Sequence, residues 1–249
     1  MTDFYGEFKA FKDAADLTHR MAELIVHLLD EGIQRRGRAS LVVSGGTTPV
    51  ALFEVLSGAD LTWEKVVISL ADERWVDTGS PDSNEHLVRT HLLKNKASAA
   101  RFIGLKTPDG AAGAGEAACA MRIRQIPAPF DLLLLGMGDD GHTASLFPGA
   151  TALQGALNMT SDRICMSVSP PAAPHDRMTL TLPALLNSRR IFVHIVGEKK
   201  RQIYKTAIAG ESLEEMPIRA ILGQKKAPVT IWWAPASDYT ANWHNLRFS

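Results

Sequence analysis

The run Leu132-Leu133-Leu134-Leu135 is apolar at every position, with none of the alternation of a half-buried strand. A short segment of that kind reads as a strand covered on both faces, the condition of a parallel sheet packed beneath helices. It stops at Gly136-Met137-Gly138-Asp139-Asp140-Gly141-His142, a turn that presents two carboxylates and an imidazole. In open α/β sheets, ligands sit outside the carboxyl ends of the strands. His142, with Asp140 two residues before it, has the ingredients of an oriented general base. The plainer alternative is a solvated turn whose carboxylates only cap backbone amides.

The same alternation runs along the rest of the chain. Apolar residues from Phe8 and Phe11 through Ile33 follow a three-and-four spacing, which predicts one amphipathic helix over 7–33. Ala39–Val43 is a β-rich run ending at Ser44-Gly45-Gly46-Thr47-Thr48-Pro49; Thr48 as N-cap and Pro49 at the first helical position begin a helix to about Leu56. Val66–Leu70 reads as a strand, Ala71–Asn84 as a polar loop, and Glu85–Leu93 and Ala111–Ile126 as helices. Further strands are expected at Asp131–Leu135, Ile164–Val168, Met178–Leu182, Arg190–Val196 and Val229–Trp233, with a helix over Lys199–Ala209. Strands alternating with helices imply a mostly parallel, helix-covered sheet. No internal repeat or linker divides the chain, so residues 1–249 are read as a single domain. The segment from Ala234 to Ser249, with Tyr239 and Trp243, is left to pack on its own domain or on a partner.

Lys plus Arg equals Asp plus Glu at 27 each, a balance that gives no reason to expect a nucleic-acid or membrane partner. An anionic ligand must then be held by a local cluster of donors. Cys119 and Cys165 lack metal-ligand spacing and are read as packed, reduced thiols. Charged residues near the N-terminus interrupt any secretory core, and no apolar stretch is long enough to span a bilayer, so the cytoplasm is the expected compartment.

Three loops carry candidate chemistry. Ser44, Gly45, Gly46 and Thr47 form a turn whose glycines admit close approach of a ligand and whose following helix directs free amides toward it. It lacks the lysine of a P-loop and the spacing of a dinucleotide fingerprint. Asp72-Glu73-Arg74 directly follows a strand, where three charges must be paired or used. Arg74 is either one half of a surface ion pair or a group aimed at a substrate oxygen that gains negative charge. Arg177 begins a strand, and Lys199, Lys200 and Arg201 sit in the first turn of a helix, where cations are disfavoured unless an anion lies nearby. Among the other histidines, His194 is read as a satisfied core residue, and His175, near Arg177, as a possible substrate contact.

Taken together, the blocks Ser44–Pro49, Asp72-Glu73-Arg74, Ser83-Asn84, Gly136–Pro148 and Arg177–Thr181 resemble, in order and over nearly the whole chain, the 6-phosphogluconolactonases. These lie within the wider group that includes glucosamine-6-phosphate deaminases. The deaminases share the Gly-Gly-Thr and Asp-Gly-His loops, but continue after the histidine toward an Asn-Glu-Pro segment. This chain has Ser145-Leu146-Phe147-Pro148, the lactonase form. The resemblance implies a modified Rossmann-like α/β/α sandwich that hydrolyses a sugar-phosphate lactone in the oxidative pentose phosphate pathway. It maps His142 and Asp140 onto the catalytic pair and Arg74 onto the substrate-contacting arginine. Ser44, Gly45, Gly46 and Thr47 map onto the phosphate loop, and Arg177 and Lys200 onto the distal phosphate cations, with Lys199 beside Lys200. Asp72 is left as either an acid–base group or the partner of Arg74. No cofactor or metal is implied, and the oligomeric state is left between a monomer and a weak homodimer. The rivals are a deaminase or isomerase, and a noncatalytic sugar-phosphate sensor.

Overall fold

The computed structural model describes residues 6–236; Tyr239 and Trp243 lie outside the described residues. The strands are β1 (Glu7–Ala10), β2 (Ala39–Val43), β3 (Val66–Leu70), β4 (Asp72–Arg74), β5 (Arg101–Ile103), β6 (Leu132–Leu135), β7 (Cys165–Val168), β8 (Arg177–Leu180), β9 (Ile191–Val196) and β10 (Val229–Ala234). The helices are α1 (Ala14–Arg36), α2 (Val50–Ser57), α3 (Asn84–His91), α4 (Ala112–Ile123), α5 (Leu153–Leu157), α6 (Leu182–Leu185), α7 (Glu198–Ala209) and α8 (Arg219–Leu222). Seven strands form a parallel sheet in the order β1-β10-β9-β6-β2-β3-β5.

Every residue of β2, β3 and β6 is buried, as the continuous apolar runs require of strands covered on both faces. From β2 the chain moves outward to β3 and β5, then returns to the other side of β2 as β6 and proceeds to β9 and β10. The direction therefore reverses between β2 and β6, and this switch point is where a Rossmann-like sheet opens a crevice. The Ser44 N–H, donating to the Leu134 carbonyl at 2.9 Å, draws the loop after β2 against β6. Among the described residues, no helix is long and apolar enough to cross a membrane.

Two groups of expectations from sequence need correction, the helix starts and one loop. The helix predicted over 7–33 begins only at Ala14, because the Asp13 carboxylate accepts the Asp16 N–H at 2.8 Å and caps it. Phe8 belongs instead to an edge strand paired with Ile231, and it stacks on Tyr204. Similarly, α2 starts at Val50 behind Pro49, with no side-chain cap from Thr48.

The second correction bears on the site. Residues 72–74 are not loop but a strand, and β4-β8-β7 form a separate antiparallel sheet. Ala71 joins the two sheets: its N–H donates to the Val43 carbonyl of β2 at 2.8 Å, and its carbonyl accepts from the Leu180 N–H of β8 at 2.9 Å. Alternation along β4 sends Asp72 and Arg74 to one face and Glu73 to the other. Glu73 is fully buried and accepts from the Arg74 and Asn84 amides at 2.7 Å, the Glu85 amide at 2.8 Å and the Ser83 hydroxyl at 3.0 Å. It thus holds the first turn of α3 against β4. Burial pushes its carboxyl above the ordinary value despite those bonds, which pull it down. Cys119 on α4 and Cys165 on β7 are buried free thiols with their sulfurs 3.0 Å apart.

Removing the Glu73 carboxylate strands several buried donors at once. Glu73→Ala is expected to lower the unfolding free energy by about 3 kcal/mol in urea titrations. A loss under about 1 kcal/mol would mean that the α3 terminus is held by other means.

Candidate active site

The crevice at the switch point is a cleft of about 350 Å³, lined by the loops after β2 and β6, by Asp72 and Arg74 of β4 and Arg177 of β8, and by the start of α7. Ser44, Gly45, Gly46, Thr47, Asp72, Arg74, His142, Arg177 and Lys200 all line it. Asp140 stands directly behind His142.

The turn after β6 is shaped around that pair. His142 Nδ1 lies 2.5 Å from Asp140 Oδ1, and the His142 amide donates to the same oxygen at 3.0 Å. Burial raises the Asp140 carboxyl, but bonds from the His142 amide and the imidazole prevail and hold it below the ordinary value. An ionised carboxylate only accepts, so Nδ1 carries the proton and Nε2 keeps its lone pair. The ring rests on Phe147 with centroids 4.3 Å apart. Gly138 donates its N–H to the His142 carbonyl at 2.8 Å, closing the turn. A Cβ at Gly138 would come within 2.0 Å of His142 Nδ1 and 2.6 Å of Asp140 Oδ1, and Gly141 has φ +78. The two glycines are therefore requirements of the pair.

The antiparallel sheet supplies the cations. Arg74 and Arg177 are directly opposed in the β4–β8 register, and Asp72 faces Thr179 one step along the same face. Arg74 Nη1 donates to the Asp82 carbonyl at 2.6 Å, and Arg177 Nη2 to the Pro174 carbonyl at 3.1 Å. The Nε of both is enclosed without a partner. Burial, followed by the charge of Arg74, lowers the Arg177 pKa from its ordinary value. Arg74 has no ion pair among the described residues, so of the two readings left open for Asp72, the one that pairs it with Arg74 is not what the structure has. Asp72 accepts instead from the Ser145 hydroxyl at 2.7 Å. The physical reason is burial: Asp72 is 6% exposed and turned toward the post-β6 loop, where a buried hydroxyl meets it.

On the opposite wall, Lys200 Nζ contacts Asp139 Oδ1 at 2.7 Å and the Met137 carbonyl at 2.6 Å. Lys199 reaches Asp139 Oδ2 at 2.5 Å from outside the cleft. Bonds from Lys199 and Lys200 hold the Asp139 carboxyl at about 2. His175 contacts Asp82 Oδ2 at 3.0 Å, outside the residues that line the cleft.

Three lining or supporting groups escaped the sequence reading. The Asn84 amide nitrogen donates to the Asp72 carbonyl at 2.9 Å, its Oδ1 has no partner, and it occupies the space that a Cβ on Gly45 would need. Ser145 anchors Asp72. His194 lines the cleft and, contrary to the expected satisfied core residue, has an enclosed Nδ1 without a partner. Only the Ser83-Asn84 pair carried a sequence signal, as part of the family pattern.

The fold and site together define a Rossmann-like protein whose cations and unpartnered donors converge on an imidazole–carboxylate pair. The family model of glucosamine-6-phosphate isomerases and 6-phosphogluconolactonases matches residues 12–232, and the chain belongs to that family. It is 43% identical to a 6-phosphogluconolactonase from Pseudomonas aeruginosa over 224 residues, 89% of this chain and 92% of the relative. A 6-phosphogluconolactonase crystal structure from Shewanella baltica superposes with a TM-score of 0.90 at 46% identity, covering 92% of this chain and 97% of that one. A monomeric glucosamine-6-phosphate deaminase shares the fold, with a TM-score of 0.75 at 17% identity, covering 92% and 97% of the two chains.

Two outcomes follow from the geometry. Gly138→Ala is expected to abolish the far-downfield proton resonance of the His142 Nδ1–H while leaving the far-ultraviolet circular dichroism unchanged. Burial lowers the His194 pKa from 6.5 to about 4, so the unfolded chain binds that proton first. Stability is then lost as the pH falls below about 6.5 and levels off near 4, by about 3 kcal/mol in total. His194→Leu should remove this component from urea midpoints measured between pH 7 and pH 4.

Proposed function

We propose that this protein hydrolyses 6-phospho-D-glucono-1,5-lactone to 6-phosphogluconate, as a cytoplasmic single-domain enzyme of the oxidative pentose phosphate pathway. The observation that carries the reading is the Asp140–His142 pair, with Nε2 bare at a cleft that also holds two opposed arginines. The names of the relatives agree with it.

His142 Nε2 removes a proton from water as the water oxygen attacks C1 of the lactone. The carbonyl electrons move to oxygen, and Arg74 stabilises the charge that develops there. Asp140 keeps the imidazole oriented and stabilises its protonated form. As the tetrahedral intermediate collapses, the C1–ring oxygen bond breaks and His142 returns its proton to the departing oxygen. The phosphate sits among the Ser44–Thr47 loop, Arg177 and Lys200, where it replaces Asp139 as the counter-ion of Lys200. The lactone is an activated ester, so base, oxyanion donor and anchor suffice. Asp72, fixed by Ser145, belongs to substrate binding.

The deaminase alternative requires a further acid after the histidine. That place is taken here by Leu146, 1% exposed, and by Phe147, which supports the His142 ring.

The test is ring opening of 6-phosphogluconolactone above its spontaneous rate, with ammonia release from glucosamine 6-phosphate assayed in parallel. His142→Ala is expected to lower kcat by about 10²–10⁴-fold with the fold intact. Ammonia release by the native protein, or full lactonase activity in the variant, would overturn the assignment.

A further inference from the structure

His194 is the ionisable group of the cleft to which the mechanism gives no task. It lies near the carboxyl end of β9, one position beyond Val193, which pairs with Leu135 at the end of β6. The rest of that strand is Ile191, Phe192, Val193, Ile195 and Val196, so an apolar residue would suit the position. A polar ring there, only 4% exposed and with an enclosed Nδ1 lacking a partner, opposes folding unless something in the cleft uses it. The residue paired with it on β10 is Trp232, whose indole N–H is likewise enclosed and unpartnered. The two nitrogens make no hydrogen bond to each other, and an enclosed N–H without an acceptor is costlier than an enclosed lone pair, which favours the tautomer with Nδ1 bare and Nε2 protonated. With Nδ1 enclosed and the ring lining the cleft, Nε2 is the nitrogen left to face a ligand.

We propose that His194 is a specificity-determining residue that donates a hydrogen bond from Nε2 to a hydroxyl oxygen of the bound sugar. The inference rests on the reading of the cleft as a sugar-phosphate site. Burial keeps this imidazole neutral at physiological pH, so it adds no charge to the phosphate anchor formed by Lys200 and Arg177. A neutral donor at the cleft floor recognises a hydroxylated carbon chain and leaves the phosphate to the cations. A site built to bond a hydroxyl discriminates strongly against a ligand that lacks it, because its own polar group is then left unpaired.

Calorimetric titration with 6-phosphogluconate and, separately, with inorganic phosphate tests this directly. His194→Leu is expected to weaken 6-phosphogluconate binding about tenfold while leaving phosphate binding within twofold of the native protein. His194→Gln, whose amide reaches toward the position of Nε2, should recover most of the loss. In the native protein, the His194 Nε2 resonance should shift on saturation with 6-phosphogluconate and stay in place with phosphate; this reading needs no variant. Equal weakening of both ligands, unchanged sugar-phosphate affinity in His194→Leu, or a resonance indifferent to the sugar would overturn the proposal. Binding that behaves as expected in a protein without lactonase activity would overturn the catalytic reading and leave the role of His194 standing.

Discussion

The backbone bonding of one residue sets the relation between the two halves of the site. Ala71 donates into the parallel sheet at Val43 and accepts from the antiparallel sheet at Leu180. A rigid hinge of two backbone bonds thus fixes β4 at an angle to β3, and with it the arginines relative to the loops after β2 and β6. The hydrophobic burial of β2, β3 and β6 stabilises the platform, but it does not orient the side chains that stand at its edge. That orientation comes from Ala71, from Glu73 gripping the first turn of α3, and from the Ser44 amide tied to β6. Positioning on strands and short turns, with packed support behind, is what a site needs to hold its geometry.

Polar satisfaction is divided unevenly around this frame. Glu73 and Asp72 are met by several donors, while Ser44 Oγ, Asn84 Oδ1, Arg74 Nε, Arg177 Nε and His194 Nδ1 are enclosed and unmet. Native interiors leave few such atoms; of the six among the described residues, all but Trp232 Nε1 belong to residues that line one cleft. Glu73, which only supports the site, is fully met, whereas most of the unmet atoms stand on residues facing the cleft.

The central strands and their glycine-rich turns were legible in the sequence, because continuous apolar runs and the Gly-Asp-Asp-Gly-His turn each have few structural solutions. The edge strand Glu7–Ala10 was not, since Phe8 and Phe11 fit the helical spacing that α1 continues and only the Asp13 cap separates them. The antiparallel sheet was hidden as well. Its strand Asp72–Arg74 consists wholly of charged residues, which read as loop until long-range pairing with Arg177–Thr179 makes them a strand. Partner choice for Asp72 was equally out of reach, because Ser145 lies 73 residues away along the chain. His194 failed for the opposite reason: its strand was placed correctly, and the apolar surroundings suggested a contentment that its unpartnered nitrogen contradicts.

Opposed guanidinium groups on β4 and β8 give the fold a further property. Two like charges facing one another across a strand pair oppose the packing of the very sheet that carries them. In the reading proposed above, a substrate that sets its phosphate at Arg177 and its carbonyl oxygen at Arg74 would offset that repulsion, and a ligand specific to the folded state at a hundredfold excess over its dissociation constant adds about 2.7 kcal/mol. Occupancy and persistence would thereby be joined, since by mass action a ligand-bound molecule unfolds less often than an empty one.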